Sequence, residues 1–494
     1  MIDWLSEAAY LFSTKAFIIT GNKTISFNEI NERAVYLANL LQKHYKINRG
    51  EIAALLSENN LDFIILIFAL WKSGAVPVPI NTRLNDPETN NLVVFLKPSF
   101  IFIDRNINKQ VNYKNAKTII IEDDYVIDDK SKTPGNDGIT ENVQNKGFDE
   151  NSTALILFTS GTSGNPKGVQ LSFHNLRASF DNSNTVLNHD TNEKWIASLP
   201  FYHIGGFSII TRALLSGTSV IIPKSLNTDD LANTLITHRP TLLSLVSTQL
   251  RRLIAMRIKP NAELKCVLLG GGFIEDSLVD EAIKEGWSIA KVYGSTETSS
   301  LITFVDCKKD RNKKLSGGKS LAKNRIFIVN ESNNFLLPLI KGEIVVKSES
   351  CSRGYFNNPK ATDEKFRDGL YYTGDSGYID EEGYLFIDSR MDYIIISGGE
   401  NINPLEIENA LLEYPGIQNV SVFGQEDKEW VHIVAAAVII KPGLNVSEGD
   451  LKEFLLQKIS PYKLPRKYYF MNEFPMNPLG KVQKEKLREI IKNH

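Results

Sequence analysis

Cysteine is nearly absent: three residues in 494, Cys266, Cys307 and Cys351, lie far apart. So sparse and odd a set excludes a disulfide framework, has no metal-ligand spacing, and fits free thiols in a reducing compartment such as the cytoplasm. An excess of charge of either sign is missing as well. With 56 Lys and Arg against 58 Asp and Glu the formal net charge is -2, which removes the electrostatic case for nucleic acid or an anionic membrane as partner. Small-molecule chemistry is the better default. Long hydrophobic runs are lacking too. The longest, "FIILIFALW" (Phe63 to Trp71), falls far short of the roughly 20 residues of a membrane helix, and Lys72, Ser73 and Gly74 close it. It reads as a buried core helix, with a short strand in the following "AVPVPI". The opening "MIDWLSEAAY" has no basic region ahead of an apolar segment, so no signal peptide is expected.

What is present is the composition of a globular chain, 42% hydrophobic and long enough for two to four units at about 150 residues each. Strand-like apolar runs such as "AALLS" and "LLSLVS" alternate with amphipathic stretches. That alternation predicts an α/β architecture with largely parallel sheets. The polar segment 122–153 reads as a mobile surface connection feeding the strand "ALILF". A second boundary falls near residue 390. Beyond it "YIII" is a strand and "SGGEN" a loop; Asn403 caps a helix with Pro404 at its first position, and Ile407, Ala410, Leu411 and Tyr414 form its apolar face before Gly416. Two domains, 1–390 and 391–494, are therefore expected.

Five clusters carry chemistry. "TSGTSGNPKG" (Thr159 to Gly168) packs glycines, hydroxyls and Lys167 behind "ALILF", a cradle for phosphate oxygens whose spacing is not that of a Walker loop. An ordinary polar turn stays open there. "LLGGGFI" (Leu268 to Ile274) runs a strand into Gly270, Gly271 and Gly272, which lets a planar ligand lie against main chain or simply makes a tight turn. "VYGSTETSS" offers Tyr293 to a base, Thr296 to a phosphate and Glu297 to a hard cation such as Mg²⁺, with a solvated turn as the alternative. "YYTGDSGYIDEEGYLFIDSR" supplies Asp375 and Arg390, either for ribose hydroxyls or as a structural hairpin pair. "PMNPLGKVQK" places Lys481 after a glycine turn, where a lone lysine is ordinarily surface charge.

In order and spacing these clusters resemble the adenylate-forming superfamily of acyl-CoA ligases, luciferases and peptide-synthetase adenylation domains, over nearly the whole chain. The resemblance implies a large N-terminal domain of doubly wound sheets with a β-barrel-like subdomain, and a small mobile α+β C-terminal domain. It implies ATP, Mg²⁺ and CoA as reactants: a carboxylate attacks the α-phosphate of ATP, and a thiol then displaces AMP. By the family pattern Ser160, Thr162, Ser163 and Lys167 hold the β- and γ-phosphates and Tyr293 stacks on adenine, with Gly161, Gly164, Gly270, Gly271, Gly272 and Gly294 among the residues that bind ATP or AMP. Thr296 binds the α-phosphate, Glu297 ligates Mg²⁺, and Asp375 and Arg390 take the ribose. Lys481 bridges carboxylate and α-phosphate. Asp392 matches the hinge about which the small domain rotates, after which Ser397, Gly398 and Gly399 line the thiol's tunnel.

The acid is approached through "LPFYHIGGFSIITRALLSG" (Leu199 to Gly217), where His203 resembles the family's gate or carboxylate-side histidine, with a packed core histidine as the alternative. Arg212, nine residues on in an apolar helix, is a costly cation unless an anion meets it, whether an internal carboxylate or a substrate. The spacing resembles the 2-succinylbenzoate CoA ligases of menaquinone synthesis, whose substrate has one carboxylate to activate and one to anchor. "INTRLNDPE" and "LLGGGFI" look like the same family. Two departures stand out: Ser295 replaces a usual methionine, and Trp430, Val431 and His432 stand where Trp-Gly-Gln is usual. Another aryl- or fatty-acid CoA ligase, an enzyme loading a carrier protein, and a non-catalytic nucleotide sensor are the rivals. The sensor has no need of Lys167, Glu297 and Lys481 together. Nothing in the sequence fixes the oligomeric state, and association of like copies remains compatible with it.

Overall fold

The computed structural model describes residues 3–84, 86–121, 149–159, 167–271, 274–390, 395–397, 400–427, 431–459, 461–477 and 480–492. The chain forms two compact units, one of Met1–Arg325 with Lys347–Tyr371, the other of Ile326–Val346 with Tyr372–His494.

In the first unit, Val76–Pro79, Ile52–Leu56, Phe100–Asp104 and Lys117–Ile121 make a wholly parallel sheet in that order. Parallel strands are covered on both faces, which is why three of these four are apolar without alternation. The helix Leu61–Ser73 is the long apolar run, buried on all sides as expected. Asn60 starts it by accepting from the Phe63 amide at 2.7 Å, and Gly74, at φ 75°, ends it.

A second sheet runs in the order Gly318–Ser320, Ser300–Asp306, Ile289–Ser295, Cys266–Leu269, Leu242–Leu245, Lys194–Ile196, Ser219–Ile222, Ala16–Thr20 and Lys23–Ser26. Its strands from Ile289–Ser295 through Ala16–Thr20 are parallel to one another. Helices Thr228–His238, Ser247–Ala255 and Asp276–Lys284 make the crossovers, so the doubly wound arrangement holds. Thr153–Thr159, the expected strand, pairs antiparallel with Lys167–Ser172, and the phosphate-loop candidate is their connection. One apolar core joins the layers; within it Phe17 stacks on Phe27 at 4.2 Å.

The second unit holds most of the strands Arg325–Val329, Gly342–Lys347 and Leu370–Ile379 and all of Tyr384–Arg390, adjacent in that order. No sheet closes into a barrel among the described residues: the β-barrel-like subdomain that the resemblance implied is replaced by an open run of strands. A further sheet orders Glu400–Ile402, Ile395–Ser397, Val431–Ile440 and Ile417–Asp427, with Lys467–Phe470 pairing parallel to Val431–Ile440. The helix Pro404–Leu412 begins as foreseen: Asn403 Oδ1 accepts from the Leu405 amide at 2.9 Å, Pro404 fills the first position, and Ile407, Ala410 and Leu411 are buried. It stops at Leu412, short of Gly416. The three cysteines are free thiols, and among the described residues no helix is long and apolar enough to cross a membrane.

Candidate active site

The best-built part of the site is the turn between Ile289–Ser295 and Ser300–Asp306, which carries Tyr293, Gly294, Thr296 and Glu297. The strands are antiparallel, with Tyr293 opposite Thr303, Gly294 opposite Leu301, and a register shift between the two pairs. A Cβ on Gly294 would collide with the Ser300 carbonyl oxygen, so only glycine fits that shift. Ser299 and Ser300 sit at φ 54° and 102°, a left-handed backbone that costs non-glycine residues about 1–3 kcal/mol each. Buried hydroxyls hold it in place. Ser299 Oγ donates to the Ser350 carbonyl at 2.7 Å, Ser179 Oγ to the Ser299 carbonyl at 2.6 Å, and Thr298 Oγ1 to the Ser300 carbonyl at 2.7 Å. A turn braced this way keeps its carboxylate where it is set.

That carboxylate, on Glu297, is only 8% exposed. Tyr355 Oη donates to its Oε1 at 2.9 Å, and its own carbonyl accepts from the Ser352 amide at 2.7 Å. Lys167, first residue of the strand leaving the glycine-hydroxyl loop, lies with Nζ 5.2 Å from the centre of the same Tyr355 ring. Tyr355 therefore joins the loop's lysine to the turn's carboxylate. Nothing local to Tyr355 in the sequence signals this role, because its partner is 58 residues away.

Gly270 and Gly271 follow Cys266–Leu269, Tyr293 lies just past the parallel-paired part of Ile289–Ser295, which ends at Lys291, and His203 follows Lys194–Ile196. All three segments leave the same, carboxyl-terminal edge of the second sheet, the edge where open α/β sheets take ligands. Gly271 turns at φ 84°. Asn59, also unannounced by the sequence, pins the segment before His203: its Nδ2 donates to the carbonyls of Ala197 at 3.2 Å and Leu199 at 2.9 Å, while its Oδ1 accepts from the Phe201 amide at 2.8 Å. His203 itself is the N-cap of the helix Ile204–Ser216, its ring edge-on to Tyr202 at 4.8 Å.

Arg212 lies in that helix and is 2% exposed. Nη1 donates to Ser208 Oγ at 3.0 Å and the guanidinium lies over the Trp195 ring, Cζ 5.7 Å from its centre. Nε and Nη2 have no hydrogen-bond partner among the described residues. Burial pushes the guanidinium pKa down to about 9. No internal carboxylate among the described residues meets this cation.

In the second unit Asp375 stands directly opposite Arg390 in the antiparallel pair Leu370–Ile379 and Tyr384–Arg390. The Asp375 amide donates to Thr373 Oγ1 at 3.0 Å, and that hydroxyl donates to the Ile344 carbonyl at 2.7 Å. Ser397 is buried and pairs with Glu400 and Val431. Lys481 is exposed on a tight turn, Gly480 at φ 72°, where its amide donates to Asn477 Oδ1 at 2.9 Å and its carbonyl accepts from the Asn477 amide at 2.8 Å. Ser160, Gly161, Thr162, Ser163, Gly164, Gly272, Asp392, Gly398 and Gly399 lie outside the described residues, as does most of the 122–153 segment.

A sheet edge bearing a braced Tyr-Gly-Ser-Thr-Glu turn, a lysine behind a glycine-hydroxyl loop and a separate unit with an exposed Gly-Lys turn defines a class. The family model described as AMP-binding enzyme matches residues 5–356, that of the AMP-binding enzyme C-terminal domain matches 406–481, and the chain belongs to this family. The superfamily expectation is thereby borne out. Within it, the chain is similar to the 2-succinylbenzoate–CoA ligase of Bacillus cereus, at 32% identity over 99% of this chain and 98% of that protein, and to that of Bacillus subtilis, at 30% over the same shares. Among solved structures it resembles the o-succinylbenzoate CoA synthetase (MenE) of B. subtilis in complex with the acyl-adenylate intermediate OSB-AMP, with a TM-score of 0.89, 28% identity and 99% and 98% of the two chains covered. ATP-bound MatB from Rhodopseudomonas palustris follows, with a TM-score of 0.87, 26% identity and 99% of each chain covered.

Proposed function

We propose that this chain is an AMP-forming 2-succinylbenzoate–CoA ligase acting in the cytoplasm. Two steps are required. One carboxylate of the acid attacks the α-phosphorus of ATP, forming an acyl-phosphate bond and expelling pyrophosphate; the thiol of CoA then attacks the acyl carbon, yielding the thioester and AMP. In this reading Ser160, Thr162, Ser163 and Lys167 cradle the β- and γ-phosphates, with Gly161 and Gly164 supplying the bends. Gly270, Gly271, Gly272, Tyr293 and Gly294 surround the adenine, Thr296 holds the α-phosphate, and Asp375 and Arg390 the ribose. Glu297 suits Mg²⁺, which takes one or two carboxylates and completes its shell with phosphate oxygens and water. Tyr355 occupies one carboxylate oxygen by hydrogen bonding, which orients the group. The cation, once bound, offsets phosphate charge as pyrophosphate leaves. His203 attends the reacting carboxylate and Lys481 spans it and the α-phosphate. Ser397, Gly398 and Gly399 receive the thiol after the domain 391–494 turns about Asp392.

The observation that carries the choice of acid is Arg212: a guanidinium 2% exposed, with two donors unmatched among the described residues. Such a charge is costly without an anion, and a substrate with a second carboxylate brings one. Thioester formation is to be followed by mass spectrometry with ATP, Mg²⁺ and CoA against 2-succinylbenzoate, benzoate, cinnamate and fatty acids. The dicarboxylate should be preferred, and Arg212→Ala should erase the preference. A monocarboxylate preferred by both proteins would leave the two-step chemistry standing and remove the acid.

A further inference from the structure

An arginine can meet a carboxylate along either of two edges, and Arg212 has already committed one of them. Nη1, the nitrogen on the Cδ side of the group, donates to Ser208 Oγ at 3.0 Å. Ser208 is one helical turn before Arg212, so the two side chains share a face of the helix Ile204–Ser216. The serine's own proton goes to the Gly205 carbonyl at 3.2 Å, which turns an oxygen lone pair toward the guanidinium. One face of the guanidinium rests on Trp195, and that indole is itself fixed: Nε1 donates to Ser244 Oγ at 3.2 Å and the His189 ring packs on it at 5.5 Å. Trp195, Ser208 and Ser244 are all buried. With Nη1 held at one edge and the plane held from one face, Nε and Nη2 remain, and these two form the side-on edge that grips a carboxylate with two parallel hydrogen bonds.

We infer that Ser208 and Trp195 are positioning residues which present the Nε and Nη2 edge of Arg212 to a carboxylate of the acid, and so set the preference for a dicarboxylate. The inference rests on the proposed acid and deepens it. Neither residue touches the reacting atoms. They act by removing the rotational freedom that a bare guanidinium would lose on binding.

The test measures kcat/KM for 2-succinylbenzoate and for the two monocarboxylates that each lack one of its carboxyl groups, in the native enzyme, Ser208→Ala, Trp195→Phe and Arg212→Ala. The quantity read is the ratio of dicarboxylate to the better monocarboxylate, which general damage to the fold leaves unmoved because both acids suffer alike. Ser208→Ala, a one-atom deletion, should lower the ratio about tenfold, mainly through KM for the dicarboxylate, and Trp195→Phe several-fold. If Arg212→Ala collapses the ratio while Ser208→Ala and Trp195→Phe both leave it intact, the positioning role is wrong and the acid assignment stands. If Arg212→Ala itself leaves the ratio unchanged, the role of Arg212 fails, and the positioning role with it.

Discussion

Arg212 is a residue on which stability and function pull apart. Its guanidinium, 2% exposed, is held only by a serine hydroxyl and an indole face among the described residues. Burial holds its pKa near 9, below the ordinary 12.5. Burial thus disfavours the charged form, and at neutral pH the cost of burying the charge is present in full. Replacing the side chain by an apolar one of similar length should therefore stabilise the protein while the acid is absent. Arg212→Met is expected to raise the unfolding free energy of its unit by about 1–2 kcal/mol without acid. Saturating 2-succinylbenzoate should then raise the thermal midpoint of the native protein and leave that of the variant where it was. A variant less stable than the native protein in the absence of acid would show that the hydroxyl and the indole already compensate the charge.

Elements show how far local pattern reaches. The helix cap at Asn403, the buried Leu61–Ser73 helix and the strand ahead of the phosphate-loop candidate were legible because each is decided within a few residues. Tyr355 and Asn59 were not, since each acts across a long stretch of chain and only the fold brings the partners together. The same distance makes them informative to change. Tyr355→Phe keeps the ring beside Lys167 and removes the hydroxyl that orients Glu297, so the Mg²⁺ concentration needed for half-maximal adenylate formation should rise about tenfold. An unchanged Mg²⁺ dependence would separate Glu297 from the cation. A second element-level test concerns the start of Lys194–Ile196. Burial by itself would raise the pKa of Glu193, but hydrogen bonds from His189 at 3.0 Å and Lys265 at 3.0 Å more than offset it and hold the carboxyl below its ordinary 4.5. A depressed carboxylate stabilises the fold fully above its unfolded value and loses that contribution as pH falls through the folded one. Glu193→Gln should cost about 1–2 kcal/mol at pH 7, and the gap to the native protein should close as the pH is taken from 5 to below 4, read by urea denaturation.

At the scale of the whole molecule the proposed reaction asks two jobs of one small domain. Lys481 sits on the turn at 477–481 and Ser397 ends the strand Ile395–Ser397, both in the second compact unit, and the proposed steps need them at the reacting centre at different times. Adenylate formation calls for the ammonium beside the α-phosphate, where loss of such a stabilising donor typically costs about 10²–10³ in rate. In the proposed second step the thiol is received at Ser397, Gly398 and Gly399. A rigid placement serves one of these, whereas rotation about a single backbone position serves both. The sequence pointed to that position, Asp392, only through resemblance, because a hinge leaves no mark on hydrophobic pattern or capping. Proline there fixes φ and freezes the rotation. Asp392→Pro is therefore expected to keep pyrophosphate exchange with ATP and acid close to native while thioester production falls by at least about a hundredfold. Lys481→Ala should behave in the opposite sense, losing exchange yet still transferring the acyl group when preformed acyl-adenylate is supplied with CoA. Equal loss of both half-reactions in Asp392→Pro would mean that residue 392 supports the fold and not the rotation, and the two jobs would have to be met by a movement elsewhere in the chain.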